Sequence, residues 1–321
     1  MRLDCLRRGC HSDSGMTKNL IFVGIILAAA GILSPPLALA AGLVYGLLTV
    51  HHYHLDAQRL SKFLLQASVV CLGFGMNLAE VVRVGRSGFL YTAIGITFAL
   101  GLGLLLGLLF RVEKIQSFLI SAGTAVCGGS AIAALGPVTG ASEEAMAVSM
   151  GTVFVLNSVA LFIFPVIGSA LHLSQTQFGL WAALAIHDTS SVVGASAKYG
   201  AVALSIGTMV KLARALWIVP LALGVAIAKK SHARVQWPWF IGLFVLAAVM
   251  NSYVPWLGPV YPGLARLGRL GLAVTLFLIG TGINREMIRK VGTRPLIQGA
   301  LLWIVVGSVS LWAIVEGWIH L

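Results

Sequence analysis

Charged residues are scarce in this chain. Asp, Glu, Lys and Arg make up 10% of its 321 residues, whereas 58% are hydrophobic and the mean hydropathy is +0.94. A soluble globular domain carries about 25% charged residues, so the composition excludes such a domain and predicts an integral protein of a lipid bilayer. The net charge of +12 is compatible with nucleic-acid binding, but most basic residues lie between apolar runs, where they set membrane orientation. We therefore expect no nucleic-acid partner.

Cysteine is also scarce, and the usual signatures of enzymes are missing from the sequence. The four cysteines have no spacing typical of a disulfide framework or a zinc site. There is no metal-ligand spacing of His, Asp and Glu, no Ser-His-Asp order and no Walker-type loop. The first residues lack the apolar stretch of a cleaved signal peptide. We expect no enzyme activity, no catalytic residue, no metal and no cofactor, and we assign residues 1–18 to a cytoplasmic amino-terminal tail.

Hydrophobic runs dominate the rest of the chain. A membrane-spanning helix needs about 20 predominantly apolar residues. Eleven runs approach that length, and no soluble domain or long linker fits between them. They lie near residues 19–33, 36–50, 63–78, 89–110, 115–137, 143–165, 177–197, 202–228, 238–254, 263–283 and 294–317. The pattern predicts an all-α polytopic membrane protein with about 9 to 11 transmembrane helices, in a single transmembrane domain over residues 19–321.

Basic residues predict the orientation of this domain. Lys and Arg are enriched in cytoplasmic loops. Clusters of them precede the first run and follow the second, eighth and tenth runs, which places the amino terminus in the cytoplasm and the carboxyl terminus outside. One cluster, Arg83 with Arg86, opposes this orientation.

Part of the sequence is repeated. The segment L-G-F-G-M-N at 72–77 matches I-G-T-G-I-N at 279–284, and the same spacing pairs Lys62 with Arg269. The matching runs lie an odd number of runs apart, so they would cross the membrane in opposite directions. This predicts the inverted repeat of secondary transporters. The two repeats cover residues 36–165 and 177–317, approximately.

Two of the runs are interrupted by small and polar residues. The breaks are G-T-A-V-C-G-G-S-A-I-A-A at 123–134 and A-I-H-D-T-S-S-V-V-G-A-S at 185–196. Irregular backbone at membrane depth is tolerated only where it is buried in protein or lines a watery cavity. A shorter match pairs residues 147–152 with 203–208. With this match included, all repeats are inverted only if each broken run is a re-entrant hairpin, which enters and leaves the membrane on one side. We predict about nine spanning helices plus two opposed hairpins, with eleven full spans and two unwound helices as the alternative.

The breaks contain the residue types of an anion site. In the first break, Cys127, Gly128, Gly129 and Ser130 let backbone N–H groups at the start of a half-helix face a ligand. The alternative is that these glycines serve helix packing. The second break adds three hydroxyl side chains, and we include them in the predicted substrate-binding set: Thr189, Ser190 and Ser191.

Titratable side chains at the second break predict coupling to an ion. His187 and Asp188 lie at membrane depth, where ionisable groups are costly and mark proton or cation pathways. Asn157, in the sixth run, faces the same core. Two alternatives stay open: Asp188 as the amino-terminal cap of its half-helix, and His187 as a hydrogen-bonded interior side chain.

Two basic residues lie inside the eighth run. Lys211 and Arg214 are three residues apart and share one helix face. Each costs about 2.5–3.5 kcal/mol at the centre of a membrane helix. We therefore expect them to bind an anionic ligand, directly or through their field, or to pair with acidic residues such as Asp188, Glu143 or Glu144.

These motifs resemble a known family. The two breaks, together with V-K-L-A-R-A-L-W-I-V-P-L at 210–221, resemble the YeiH-like family of bacterial inner-membrane proteins, the sulfate exporter family, over nearly the whole chain from about Lys18. The resemblance implies an inverted-repeat carrier, related to bile-acid symporters and cation/proton antiporters, that is multi-pass in the inner membrane and commonly a homodimer.

Composition, breaks and resemblance together predict a secondary active transporter. We expect it to move a small anion, such as sulfate, a sulfonate or a related organic anion, by alternating access. The bundle bearing both breaks would move against a scaffold, as in an elevator mechanism, driven by a proton or sodium gradient. An anion channel and a carrier for a small carboxylate or other organic solute are the alternatives.

Overall fold

The chain is almost entirely helical. The computed structural model describes residues 20–48, 54–229, 239–282 and 291–320, and these ranges contain no β-strand. The helices are α1 (Leu20–Ala29), α2 (Pro35–Leu48), α3 (His54–Gly73), α4 (Leu78–Leu109), α5 (Lys114–Ala125), α6 (Gly129–Thr139), α7 (Glu143–Ala170), α8 (Gln175–Ala185), α9 (Thr189–Tyr199), α10 (Ala201–Ala215), α11 (Ile218–Lys229), α12 (Trp239–Tyr253), α13 (Tyr261–Thr281) and α14 (Thr293–Val315). The predicted tail 1–18, Asn284 and most of the basic clusters used for orientation lie outside the described residues.

Each hydrophobic run found in the sequence coincides with one helix or with two consecutive helices. Within the described ranges, five helices are long and apolar enough to cross a membrane, and a sixth is reached if the pair Leu60–Gly73 and Leu78–Val84, bent by 115°, counts as one span. The all-α membrane protein is thus confirmed. The number of 9 to 11 spans and the inverted repeat stay predictions, because several runs form helices shorter than the roughly 20 residues that a span needs.

The helices form two bundles. The first bundle consists of α1, α2, α3, α12 and α13, which pack mainly on one another. Glycines allow its closest approach: a Cβ on Gly280 would lie 2.6 Å from the carbonyl oxygen of Leu39. The second bundle, here called the hairpin bundle, consists of α4 to α11 and α14. The bundles meet through α9 against α2 and α13, and through α4 against α12.

The first broken run folds back on itself. A Cβ on Gly123, before the break, would lie 3.0 Å from the side chain of Ile132, after the break. A continuous span would separate these residues by about 13 Å. At the open end, the carbonyl of Gln116 accepts a hydrogen bond from Ser149 at 3.4 Å, near the start of α7. Helices α5 and α6 are therefore the two arms of a hairpin.

The second broken run forms a matching hairpin. The hydroxyl of Tyr199, at the end of α9, donates to the carbonyl of Leu173, just before α8, at 2.6 Å. The rings of Tyr199 and Phe178 stack with centroids 3.8 Å apart. The open end of this second hairpin lies near the end of α7, whereas the open end of the first hairpin lies near the start of α7. The two hairpins therefore point at each other from opposite ends of α7.

Candidate functional site

The tips of the two hairpins meet beside the middle of α7. A Cβ on Gly128, in the first tip, would lie 3.3 Å from Val153 of α7 and 3.4 Å from Asp188 of the second tip. Four helix ends converge there: α5 and α8 end at the tips, and α6 and α9 begin there. Helix starts carry partial positive charge and helix ends partial negative charge. The ends of α5 and α8 therefore attract cations, and the starts of α6 and α9 attract anions.

Lys211 and Arg214 of α10 serve the two helix ends. The Lys211 ammonium donates to the carbonyl of Ile186 at 2.7 Å. The Arg214 guanidinium donates to the carbonyls of Ala125 and Leu184, so it joins the ends of α5 and α8. Both side chains are buried, with exposed fractions of 0% and 1%. Their described hydrogen bonds go to backbone carbonyls, and neither is among the residues that line the cavities beside the tips.

The two helix starts differ in their caps. Asp188 caps α9: its carboxylate accepts the backbone N–H of Ser190 at 3.0 Å and also the Ser190 hydroxyl. Gly128 precedes α6 with φ 67° and ψ −131° and supplies no side-chain cap. The first amides of α6 therefore retain their capacity for an anion, whereas a carboxylate already partly neutralises the start of α9.

Two adjoining cavities, of about 490 and 230 Å³, lie between the hairpin tips and the first bundle. Both are lined by Lys62, Ser130 and Ala133. Cys127 and Thr189 line the larger cavity, and Gly129 and Asp188 line the smaller one. Four predicted substrate-binding residues and one predicted coupling residue therefore line this pair of cavities: Cys127, Gly129, Ser130 and Thr189, and Asp188. Gly128 lies beside them at the tip and lines neither cavity.

Lys62 is the site residue that sequence reasoning missed. Lys62 belongs to the basic cluster after the second run, which the orientation argument places in a cytoplasmic loop. In the structure it lies on α3, is exposed, and lines both cavities together with Ser130 of α6. Its only sequence signal is the match with Arg269 in the repeat, since a lysine near the start of an apolar helix otherwise resembles any orienting charge.

Asn157 holds the backbone of the second tip. Its Oδ1 atom accepts the N–H groups of His187 at 3.1 Å and Asp188 at 3.2 Å. The Asn157 side chain therefore contacts the backbone of His187 and Asp188, the two residues that are predicted with it to couple transport to an ion. Ser190 and Ser191 are buried at the start of α9 and do not line either cavity.

Several buried polar atoms near the second tip have no hydrogen-bond partner among the described residues. They are Nδ2 of Asn157, both ring nitrogens of His187 and Nε1 of Trp303. The rings of His187 and Trp303 lie 6.4 Å apart. A buried polar group left without a partner costs about 1–3 kcal/mol of folding free energy. No group of three His, Cys, Asp or Glu side chains able to hold a metal ion occurs within the described ranges.

Relatives of the chain are themselves named membrane proteins. A UPF0324 membrane protein of Porphyromonas gingivalis is 50% identical over 287 residues, covering 87% of this chain and 86% of the relative. One of Bacteroides thetaiotaomicron is 47% identical over 284 residues, covering 87% and 85%. One of Bdellovibrio bacteriovorus is 44% identical over 321 residues, covering 97% and 99%.

The comparisons also define the family. No solved structure matches the chain significantly. The family described as conserved hypothetical protein 698 matches residues 19–299, a range that contains both hairpins, Lys62 and the basic pair on α10. The chain therefore belongs to this family, together with the UPF0324 membrane proteins that it resembles.

Proposed function

We propose that this protein is a secondary transporter that carries a small anion across the bacterial inner membrane by alternating access. The observation that carries the proposal is the uncapped start of α6, which opens opposite Lys62 into the cavity between the two bundles. A helix start and an ammonium group on facing walls attract the same kind of ligand. The hydroxyls of Ser130 and Thr189 supply additional hydrogen-bond donors there.

The charges around the cavity favour a small oxyanion, such as sulfate or a sulfonate. Lys62 and the α6 amides offer donors from two sides, and Asp188 bounds the site with a carboxylate. Lys211 and Arg214 support the site indirectly, because they neutralise the ends of α5 and α8 that would otherwise repel an anion at the tips. A small carboxylate satisfies the same donors and is the second ligand class to test.

The bundle arrangement supports an elevator-like motion. Each bundle packs mainly on itself. One contact between them joins the start of α4 to α12, where the N–H of Leu78 donates to the Ser252 hydroxyl at 2.9 Å. The other runs along α9, whose Val193 side packs against leucines of the first bundle. An apolar contact of this kind permits sliding without breaking hydrogen bonds. The proposed driving ion is a proton or sodium bound near Asp188 and His187, and the proposed assembly is a homodimer.

Exchange in proteoliposomes tests this function. Vesicles loaded with unlabelled sulfate, taurine, sulfoacetate or a dicarboxylate are diluted into labelled sulfate, and counterflow is followed. We expect saturable counterflow with at least one of these anions, and a loss of about tenfold or more in Lys62→Gln, as expected for a lost charge-assisted contact. Lys198→Gln is the matched control, because Lys198 is exposed at the far end of α9.

Two results would contradict the proposal. Flux that neither saturates nor shows counterflow would identify an anion channel. An absence of exchange with every anion, in protein that elutes as a folded species, would remove the anion site altogether.

A further inference from the structure

Helices α3 and α13 pack against each other in opposite directions. A Cβ on Gly75 would lie 3.1 Å from Ala265, and one on Gly268 would lie 2.8 Å from the carbonyl oxygen of Ser68. Residue numbers therefore rise along α13 as they fall along α3. Lys62 lies beside the end of α13, and Arg269 lies about nine residues further along the pair, or roughly 13 Å at 1.5 Å per residue.

Lys62 and Arg269 occupy equivalent faces of these two helices. Leu65 and Leu272 belong to one cluster of side chains that packs against Val193 of α9. Lys62 precedes Leu65 by three residues, and Arg269 precedes Leu272 by three residues, so each cation lies one helical turn from a leucine of this cluster. The same spacing in the sequence pairs Lys62 with Arg269 and Leu65 with Leu272.

Arg269 also borders a cavity of its own. This cavity, of about 550 Å³, lies at the opposite end of the α3–α13 pair and is lined by Phe74, Gly75, Asn251 and Tyr261 among others. Arg269 is the single charged side chain among the residues described as lining it. The Phe74 and Tyr261 rings stack with centroids 5.7 Å apart and form an apolar wall beside the guanidinium. The cavities beside the hairpin tips are thus lined by Lys62 and by tip residues. The cavity at the opposite end is lined by Arg269 and by no tip residue.

We propose that Arg269 forms a second anion site, which receives the transported anion when the hairpin tips are displaced along α3 and α13 toward the opposite side of the membrane. This inference rests on the proposed transport function and assigns the anion a counter-charge at each end of its path. The path between the two cations is covered by α9, which slides over an apolar surface that includes Leu72 and Leu272. A planar guanidinium binds two oxygens at once, so the ligand is an oxyanion such as a sulfate, sulfonate or carboxylate.

The first test compares sulfate counterflow in Lys62→Gln, Arg269→Gln and Arg266→Gln proteoliposomes. Arg266 is an exposed arginine on the same helix that does not line the cavity, so it controls for loss of a positive charge. We expect Arg269→Gln to lose about tenfold or more of the flux, like Lys62→Gln, with Arg269→Lys recovering part of it and Arg266→Gln within about twofold of wild type. Wild-type flux in Arg269→Gln beside lost flux in Lys62→Gln would overturn the second site and leave the proposed function intact. No wild-type flux with any tested anion would overturn both.

The second test needs no substrate. Ser130→Cys places a thiol at the first tip in a chain whose four native cysteines are replaced by alanine. A second cysteine is placed at 62, 269 or 266, and membranes are treated with copper phenanthroline before linked peptides are identified by mass spectrometry. We expect disulfides from position 130 to 62 and from 130 to 269, and none to 266.

A tip that links to 62 and never to 269 would overturn the proposed displacement, whatever the transport assays find. If the cysteine-free chain does not fold, native Cys127, which lines the same cavity, replaces Ser130→Cys as the tip thiol. The expected pattern of links and its contradiction are unchanged by that replacement.

Discussion

Gly128 and Asp188, which lie in different hairpins, are neighbours where the two tips meet: a Cβ on Gly128 would be 3.4 Å from both Cα and Cβ of Asp188. This arrangement brings the uncapped start of α6 beside the capped start of α9. The backbone at position 128 adopts φ 67°, a conformation that glycine reaches without strain. The turn that leads from α5 into α6 therefore favours glycine at this position.

Gly128→Ala should destabilise the protein. An L side chain at this positive φ costs about 1–3 kcal/mol of backbone strain, and the new Cβ would lie tightly, at 3.3 Å, against Val153. Thermal unfolding in detergent, followed by circular dichroism, should show a lower midpoint. Gly101→Ala in α4 is the control, because no atom lies within 4 Å of its added Cβ. Equal midpoints for both variants would show that the conformation at Gly128 is unstrained.

Arg214→Met should lower stability more than Lys198→Met. The substitution leaves the buried carbonyls of Ala125 and Leu184 without their donor, and each unpaired group costs about 1–3 kcal/mol. Lys198 is an exposed basic residue, so its loss should change the midpoint little. Fluorescence-detected thermal unfolding compares the two. An unchanged midpoint for Arg214→Met with abolished transport would mean that Arg214 serves a ligand rather than the helix ends.

Asn157→Leu should loosen the second hairpin tip. Leucine has a similar volume but no oxygen, so the N–H groups of His187 and Asp188 lose their shared acceptor, at about 1–3 kcal/mol per buried group. Amide hydrogen exchange in the peptide containing residues 186–189 should speed up. Asn157→Asp keeps an acceptor oxygen and should retain more protection, and Ser158→Ala should behave as wild type. Unchanged exchange in Asn157→Leu would exclude this role.

Asp188→Asn should separate folding from coupling. Asparagine is as good an amino-terminal cap as aspartate, so α9 keeps its cap while the cavity loses a charge. We expect wild-type unfolding and counterflow, but no gradient-driven accumulation in proteoliposomes. Asp188→Ala loses the cap as well and should cost about 1 kcal/mol of stability. Wild-type accumulation in Asp188→Asn would move the coupling site elsewhere, with His187 the next residue to test.

Much of the candidate site was readable from local sequence. Gly128, Gly129 and Ser130 interrupt an apolar run, and the structure places them at a hairpin tip. Asp188 follows the pattern of an amino-terminal cap, and it caps α9. These features are local, because dihedral freedom and capping depend on a few consecutive residues.

The partners of the basic pair were not readable in the same way. Burial of Lys211 and Arg214 predicted that each needs a partner, and acidic residues or an anion were the expected ones. The structure gives them backbone carbonyls of Ile186, Ala125 and Leu184 instead. A carbonyl at a helix end carries no residue-type signature, so its position is known only once the helices are placed.

The sequence by itself determined that the protein lies in a lipid bilayer, that it is helical and where its two breaks fall. It also determined that two buried cations need partners. These conclusions depend on hydrophobicity and backbone freedom, which are properties of short segments. Only the tertiary structure decided that the two tips meet, that Lys62 faces them across a cavity and that Arg269 borders a second one, because those relations depend on how α3, α13 and the hairpins pack over long sequence separations. The interruptions signalled a polar site, and packing decided which charges surround it.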